Sequence, residues 1–165
     1  MDITFEKLDT SHQTPVMDIF NYYIENSFAA FPCSVLPYAA FAKLLEKANG
    51  YPAYCVKDAG TDKVIGFCFL SPHSPFPTFR QTAEITYFIS HQTTGRGIGK
   101  QCLSRLEEDA VRMGIRTILA IISSKNRMSL AFHEKNGFTA CGRLKNVGRK
   151  FDELFDVVIM QKDLL

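Results

Sequence analysis

The sequence predicts a mixed α/β domain, and three observations carry that prediction. Apolar runs of strand length alternate with amphipathic runs of helical period. A glycine-rich turn, Gly95-Arg96-Gly97-Ile98-Gly99-Lys100, joins one strand-like run to one helical run. Two further glycines, Gly114 and Gly137, each close a helical pattern just ahead of a new β run. At 165 residues the chain suits one domain with a substantial core, and no linker, repeat or low-complexity tract divides it.

Taken in order, Ile3 to Leu8 alternates apolar and polar residues and reads as a strand. Gln13 to Ser27 carries Val16, Met17, Ile19, Phe20, Tyr23 and Ile24 at helical spacing, and the aromatic stretch Phe28 to Cys33 breaks it. Tyr38 to Ala48 reads as a second helix, with Phe41, Leu44 and Leu45 on one face and Asn49-Gly50 as its stop. Tyr51 to Lys57 and Val64 to Leu70 form a hairpin across Asp58-Ala59-Gly60-Thr61-Asp62. Ser71 to Thr78 holds three prolines and reads as a loop, and Thr82 to Ser90 is a strand. Ile98 to Met113 is a helix whose apolar face is Ile98, Cys102, Leu103, Leu106 and Ala110. Thr117 to Ile122 is a buried strand and Asn126 to Asn136 a helix. Phe138 to Leu144 and Glu153 to Gln161 close the chain as strands. The order is β-α-α-β-β-β-α-β-α-β-β.

Composition narrows the function classes. Hydrophobic residues make up 46% and charged residues 22%, as in ordinary soluble globular proteins. A net charge of +2 argues against a large nucleic-acid footprint. Cys33, Cys55, Cys68, Cys102 and Cys141 are odd in number, scattered, and form no Cys-x-x-Cys pair, so neither a disulfide framework nor a metal site is expected. Such cysteines fit a reducing cytoplasm. The opening residues lack the basic and long apolar stretches of a signal peptide, and no run approaches membrane-spanning length, so no membrane partner is expected.

The glycine turn is the most informative stretch. Its glycines let the backbone turn tightly and approach a ligand closely. The N–H groups at the start of the following helix lack intrahelical partners and, with the helix dipole, favour a phosphate. Two familiar phosphate motifs do not fit. Lys100 or Cys102 stands where the dinucleotide fingerprint needs its last glycine, and Thr94 and Gln101 replace the P-loop glycine and Ser/Thr. A plain strand-to-helix turn is the alternative.

The layout of strand, Gly-x-Gly turn, helix, strand and Asn-x-x-Ser helix resembles GNAT-type N-acetyltransferases, whose pyrophosphate loop is written Arg/Gln-x-x-Gly-x-Gly/Ala. Here Thr94 replaces the usual Arg or Gln, which removes one long donor and leaves the backbone cradle. Within that superfamily the chain resembles the phosphinothricin and methionine-sulfone N-acetyltransferases. Four segments carry the likeness: Asn21-Tyr22-Tyr23-Ile24-Glu25-Asn26-Ser27; Phe79-Arg80-Gln81-Thr82-Ala83-Glu84; Asn126 to Phe138, read as Asn-x-x-Ser-x-x-x-His-x-x-x-Gly-Phe; and Val147-Gly148-Arg149-Lys150 with Asp156-Val157-Val158. The chain has no Trp near its C-terminus and carries Leu154-Phe155 before Asp156.

The resemblance implies a GNAT-like mixed, mostly antiparallel central sheet flanked by about four helices. It implies acetyl-CoA as donor, no metal, a small-molecule amine acceptor and a homodimer. Acetyl transfer to an amine requires that the donor be held, that the ammonium lose a proton, and that the thiolate be stabilised. Backbone N–H groups from Gly95 through Arg96, Gly97 and Ile98 to Gly99 suit the pyrophosphate, with Thr94, Arg96 and Lys100 beside them; Arg96 and Lys100 are equally ordinary solvated cations. By resemblance, the backbone of Phe88 and Ile89 pairs with the pantetheine arm.

By resemblance, Glu84 is the candidate base. Strand alternation puts it on one face with Thr82, Thr86 and Phe88, where an acid is costly unless paired or facing a wet cleft; an edge-exposed Glu or a structural ion pair is the alternative. His133 shares a helical face with Asn126 and Ser129, and the motif implies a general acid or a hydrogen-bonding role near the sulfur. Asn126 reads as a helix N-cap, the resemblance implies a CoA ligand, and both can hold. Ser129 either contacts CoA or back-bonds within its helix. By resemblance, Phe31, Phe79 and Arg80 are the main candidates for the acceptor pocket, with Phe28, Phe76 and the Gly148-Arg149-Lys150 turn behind them; Arg80 reads equally as a surface residue at a strand entry. His12, His73 and His91 show no metal-ligand spacing, and His73 is expected in an exposed loop. No residue suggests a covalent carrier, so direct attack in a ternary complex is expected. Acetylation of a protein N-terminus or lysine, and a non-catalytic acyl-CoA-binding domain, are the rival readings.

Overall fold

Sheet pairing organises the chain. The computed structural model describes residues 1–165. It contains seven strands: β1 (Ile3–Lys7), β2 (Ala53–Asp58), β3 (Val64–Pro72), β4 (Thr82–Ile89), β5 (Thr117–Ser123), β6 (Thr139–Lys150) and β7 (Glu153–Asp163). Four helices accompany them: α1 (Gln13–Asn26), α2 (Phe41–Lys47), α3 (Ile98–Arg112) and α4 (Arg127–Lys135). The strands form one sheet in the order β1-β2-β3-β4-β5-β7-β6. Every neighbouring pair is antiparallel except β4–β5, which is parallel. This is the mixed, mostly antiparallel α/β sheet expected from the sequence. No helix is long and apolar enough to cross a membrane.

Helices cover both faces of the sheet, and β3 shows why. Its run Val64 to Leu70 is apolar at almost every position, the signature of a strand buried on two sides. Phe67 and Phe69 pack with Val16, Met17 and Phe41 of α1 and α2. Cys68 and Leu70 point the other way, into a core with Ile98, Cys102, Leu103, Leu106 and Ala110 of α3. Those five α3 residues are the face anticipated from helical spacing. Cys55, Cys68 and Cys102 are buried as small core residues, and all five cysteines are free thiols.

Several boundaries differ from the sequence reading, each for a local reason. Tyr38 to Ala40 forms a single 3-10 turn after Pro37, so α2 begins only at the fully buried Phe41. β3 continues through Ser71 and Pro72 because both pair with β4, and a proline is tolerated at a strand end. β6 runs on to Lys150 rather than stopping at Leu144. Its pairing with β7 slips between Leu144 and Gly148, where Asn146 takes φ 53°. The Asp156 carboxylate holds that bulge, accepting from Asn146 N–H at 2.8 Å and Arg143 Nε at 2.7 Å. The strand alternation is lost at Lys145 to Gly148, so the continuation was not visible as a pattern.

Candidate active site

β4 and β5 are hydrogen-bonded neighbours for only three steps, ending at Glu84↔Leu119. β4 continues to Ile89 and β5 to Ser123, so beyond Glu84 the two parallel strands part. The turn into α3 follows the free end of β4, and α4 follows the free end of β5. The cleft between the strands therefore lies among the segments singled out by motif.

At the mouth of α3, Gly95 and Gly97 have φ +77° and +78°. Nothing lies within 4 Å of where their Cβ atoms would stand, so it is the left-handed backbone, and not crowding, that asks for glycine. Gly97 is the N-cap of α3, and the first intrahelical bond runs from Gln101 N–H to Gly97 O at 3.2 Å. The N–H groups of Ile98, Gly99 and Lys100 precede that bond and point out of the helix end. No acidic side chain sits in this first turn. Arg96 and Lys100 are exposed beside it, whereas the Ile98 side chain is 1% exposed and belongs to the core. A groove of about 390 Å³ flanks the helix start, lined by Gly97, Lys100, Gln101, Ser104 and Arg105 among others. Thr94 uses its hydroxyl within the turn, donating to His91 O at 3.3 Å. Geometry and charge suit a pyrophosphate.

The free end of β4 is fastened to α1. The Tyr23 hydroxyl donates to the Ile89 carbonyl, and Tyr22 stacks on His91 with centroids 3.7 Å apart. The Phe88 ring packs on Phe20, Tyr23 and Phe67. Phe88 therefore offers a ligand mainly its backbone. Neither tyrosine contact follows from spacing, because the pairs join residues 66 and 69 positions apart.

Glu84 and His133 do not meet. Alternation along β4 turns Glu84 to the face covered by α1 and α2, and turns Tyr87 to the face covered by α3 and α4. Glu84 is 26% exposed at its side chain, and His73 Nδ1 stands 3.1 Å from its Oε2. His73 is exposed, as expected, but the two extra residues of β3 place it against Glu84. That contact was missed because Ser71 to Thr78 read as a loop.

On the opposite face His133 is 3% exposed and surrounded by Tyr87, Phe132 and Phe138. Its Nδ1 lies 2.7 Å from the Ser129 carbonyl, which only accepts, so Nδ1 carries the proton. Nε2 is then an acceptor, and the Tyr87 hydroxyl donates to it. Burial lowers the His133 pKa and keeps the ring neutral. Burial also raises the Tyr87 phenol, so it stays protonated. Ser129 Oγ adds a contact to Nδ1 at 3.2 Å. The helix spacing correctly grouped Asn126, Ser129 and His133, but nothing in the sequence pointed to Tyr87. Asn126 Oδ1 accepts Ser129 N–H at 3.2 Å, so it caps α4 and keeps its NH₂ as a donor.

The aromatic candidates separate into two groups. Phe28 and Phe31 pack on Phe155, with centroids 5.8 and 6.0 Å away, and Phe28 also meets Phe151 at 5.3 Å. Phe79 instead stands edge-on to His73 at 5.9 Å. Phe76 and Arg80 are exposed in the same β3–β4 connection. Lys150 is not a solvent-facing ligand group. It is 3% exposed, and its ammonium donates to the Ser27 and Ala30 carbonyls at 2.7 Å each. It ties the loop after α1 to the β6–β7 turn, and burial pulls its pKa below the usual lysine value. Gly148 lies beneath the Phe155 ring, where a Cβ would come within 2.1 Å of Cζ.

Residues 16–138 match the acetyltransferase (GNAT) family. The L-methionine sulfoximine/L-methionine sulfone acetyltransferase of Pseudomonas aeruginosa is 34% identical over 116 residues, 70% of this chain and 67% of that enzyme. The phosphinothricin N-acetyltransferase of Streptomyces viridochromogenes is 29% identical over 149 residues, 90% of this chain and 80% of that one. The structure of a GNAT superfamily phosphinothricin acetyltransferase from Sinorhizobium meliloti, in complex with AcCoA, superposes with a TM-score of 0.91 at 26% identity, covering 99% of this chain and 89% of that chain.

Proposed function

The chain belongs to the GNAT family of acetyltransferases, and from that premise we propose that it transfers acetyl from acetyl-CoA to the α-amine of a small amino-acid-like acceptor. Phosphinothricin, methionine sulfone and methionine sulfoximine are the leading acceptors, on the strength of the relatives named above. The observation that carries the reading is the parting of β4 and β5 after Glu84, with the Gly95–Gly99 turn at its open end. Backbone N–H groups of Gly95 to Gly99, with Arg96 and Lys100, hold the pyrophosphate. The backbone of Phe88 and Ile89 aligns the pantetheine arm along the cleft, and Asn126 and Ser129 reach it from α4.

Proton traffic divides between the sheet faces. Glu84 draws the proton from the acceptor ammonium on one face. The neutral amine attacks the thioester carbonyl directly, in a ternary complex. His133 and the Tyr87 hydroxyl stand on the thiolate side, where the hydroxyl stabilises the departing charge once its one proton swings from His133 Nε2 to sulfur. Phe31, Phe79 and Arg80 lie on the acceptor side, and a guanidinium suits an amino-acid carboxylate. The free thiols fit a cytoplasmic setting. A homodimer belongs to the same proposal, because β6 forms an outer edge of the sheet and exposes Leu144 and Val147.

The test is release of CoA thiol from acetyl-CoA with phosphinothricin, methionine sulfone, methionine sulfoximine, polyamines and N-terminal peptides. Saturable turnover of one of the amino acids, reduced about 100-fold or more by Glu84→Gln, is expected. Turnover confined to peptides would move the assignment to a protein acceptor. Tight acetyl-CoA binding without turnover would make it a sensing domain.

A further inference from the structure

β3 and β4 stay paired beyond the sheet's core. Ser71↔Glu84 and Pro72↔Ala83 continue the register, and His73 N–H reaches the Thr82 carbonyl at 3.5 Å. The backbone therefore sets His73 beside Glu84. Nδ1 of His73 and Oε2 of Glu84 are 3.1 Å apart, with side chains 39% and 26% exposed. Phe79 closes one side of the imidazole, perpendicular to it. Opposite Glu84 on β3, Ser71 is fully buried and its Oγ has no hydrogen-bond partner. An imidazole and a carboxylate thus meet at one end of the strand pair, with Ser71 across the ladder from Glu84.

We propose that His73 is a catalytic residue that takes the acceptor's proton on Nε2, while Glu84 holds the ring through Nδ1–H. The inference rests on the acetyl-transfer reading and refines its base. An ionised carboxylate only accepts hydrogen bonds, so its contact puts the neutral ring's proton on Nδ1 and turns the Nε2 lone pair outward to the acceptor. An imidazole is also better matched than a carboxylate to take an ammonium proton near neutral pH. The first ammonium proton passes to Nε2, and Glu84 offsets the charge of the resulting imidazolium. The freed nitrogen pair forms the N–C bond, and the C–S bond breaks with its electrons on sulfur. The second nitrogen proton neutralises the CoA thiolate. The proton on Nε2 leaves to water, to which the ring is open.

The experiment compares wild type, His73→Ala, His73→Gln and Glu84→Gln, with saturating acetyl-CoA and methionine sulfone, phosphinothricin or methionine sulfoximine as acceptor. Both His73 variants are expected to lose about 100-fold in kcat, with thermal melts unchanged for this exposed site. Free imidazole at tens of millimolar restores part of the rate to His73→Ala alone, because it fills the deleted ring's place and supplies the lone pair. Glutamine at position 73 fills that space and blocks the rescue. A wild-type rate in either His73 variant overturns the inference and leaves acetyl transfer standing. So does a loss that imidazole does not relieve. Failure of the unsubstituted protein to acetylate any small amine overturns both.

Discussion

The Tyr87 hydroxyl donates to Nε2 of His133, joining the C-terminal part of β4 to the last turn of α4 where β4 and β5 part. The other ring nitrogen is fixed by the Ser129 carbonyl at 2.7 Å. Both nitrogens are therefore engaged, and Tyr87 is the polar group that His133 presents beyond its own helix. In Tyr87→Phe, a buried Nε2 loses its donor. A stability loss of about 1–3 kcal/mol is expected in urea denaturation. Activity is expected to fall about tenfold or more, and His133→Ala in the same background adds little, since the two groups act as one unit. Additive losses would show that the pair is not coupled.

His133 also predicts a pH dependence. Its folded pKa lies below the ordinary 6.5 because burial disfavours the imidazolium. Between the folded and unfolded values the unfolded chain binds more protons, so stability rises with pH across that window. This contribution is complete above about 6.5 and is lost as pH falls towards the folded pKa. Chemical denaturation from pH 7 to 5 should show a steeper decline for wild type than for His133→Gln. Equal slopes would place the dependence elsewhere.

Gly97 tests the proposed donor site separately from chemistry. Its φ of +78° costs a substituted residue about 1 kcal/mol, and strain there misdirects the first N–H groups of α3. Gly97→Ala should weaken acetyl-CoA binding severalfold in calorimetry, while kcat at saturation changes little. An unaltered affinity would remove the turn from the donor site.

Lys150 predicts a link between the sheet's edge and the proposed acceptor pocket. Lys150→Met keeps the stem's volume but strips the Ser27 and Ala30 carbonyls of their donor. A cost of about 1–3 kcal/mol is expected, with KM for the acceptor raised because the loop bearing Phe28 and Phe31 loosens. Limited proteolysis near residues 27–31 would report that loosening directly.

Gly148 predicts a steric failure. A Cβ there would stand 2.1 Å from Phe155 Cζ, so the ring must leave its contacts with Phe28 and Phe31. Gly148→Ala should destabilise the protein by about 1–3 kcal/mol, as overpacked sites do. The double variant Gly148→Ala/Phe155→Leu should recover part of that loss in thermal melts.

The sequence by itself determined the elements whose signals are local. The α3 face Ile98, Cys102, Leu103, Leu106 and Ala110 repeats at helical spacing, and all five are buried. Gly95 and Gly97 announced a left-handed turn, and Asn126 a helix cap, because glycine freedom and side-chain capping act within a few residues. Alternation and motif single out Glu84 and His133 as candidates. Tertiary structure alone decided what those residues touch. Lys145 to Gly148 lost strand periodicity, yet β6 persists because Asp156 on β7 secures its bulge. The Phe151-Asp152 turn has no glycine, yet both residues take positive φ, with Phe151 packed on Phe28. Tyr87 reaches His133 across 46 positions, and Lys150 reaches Ala30 across 120. Spacing carries no information about such pairs, because sheet order and loop packing bring them together, and β4 lies beside β5 over only three residues. Where those strands part, β4 keeps Glu84 with His73 on one face and Tyr87 with His133 on the other.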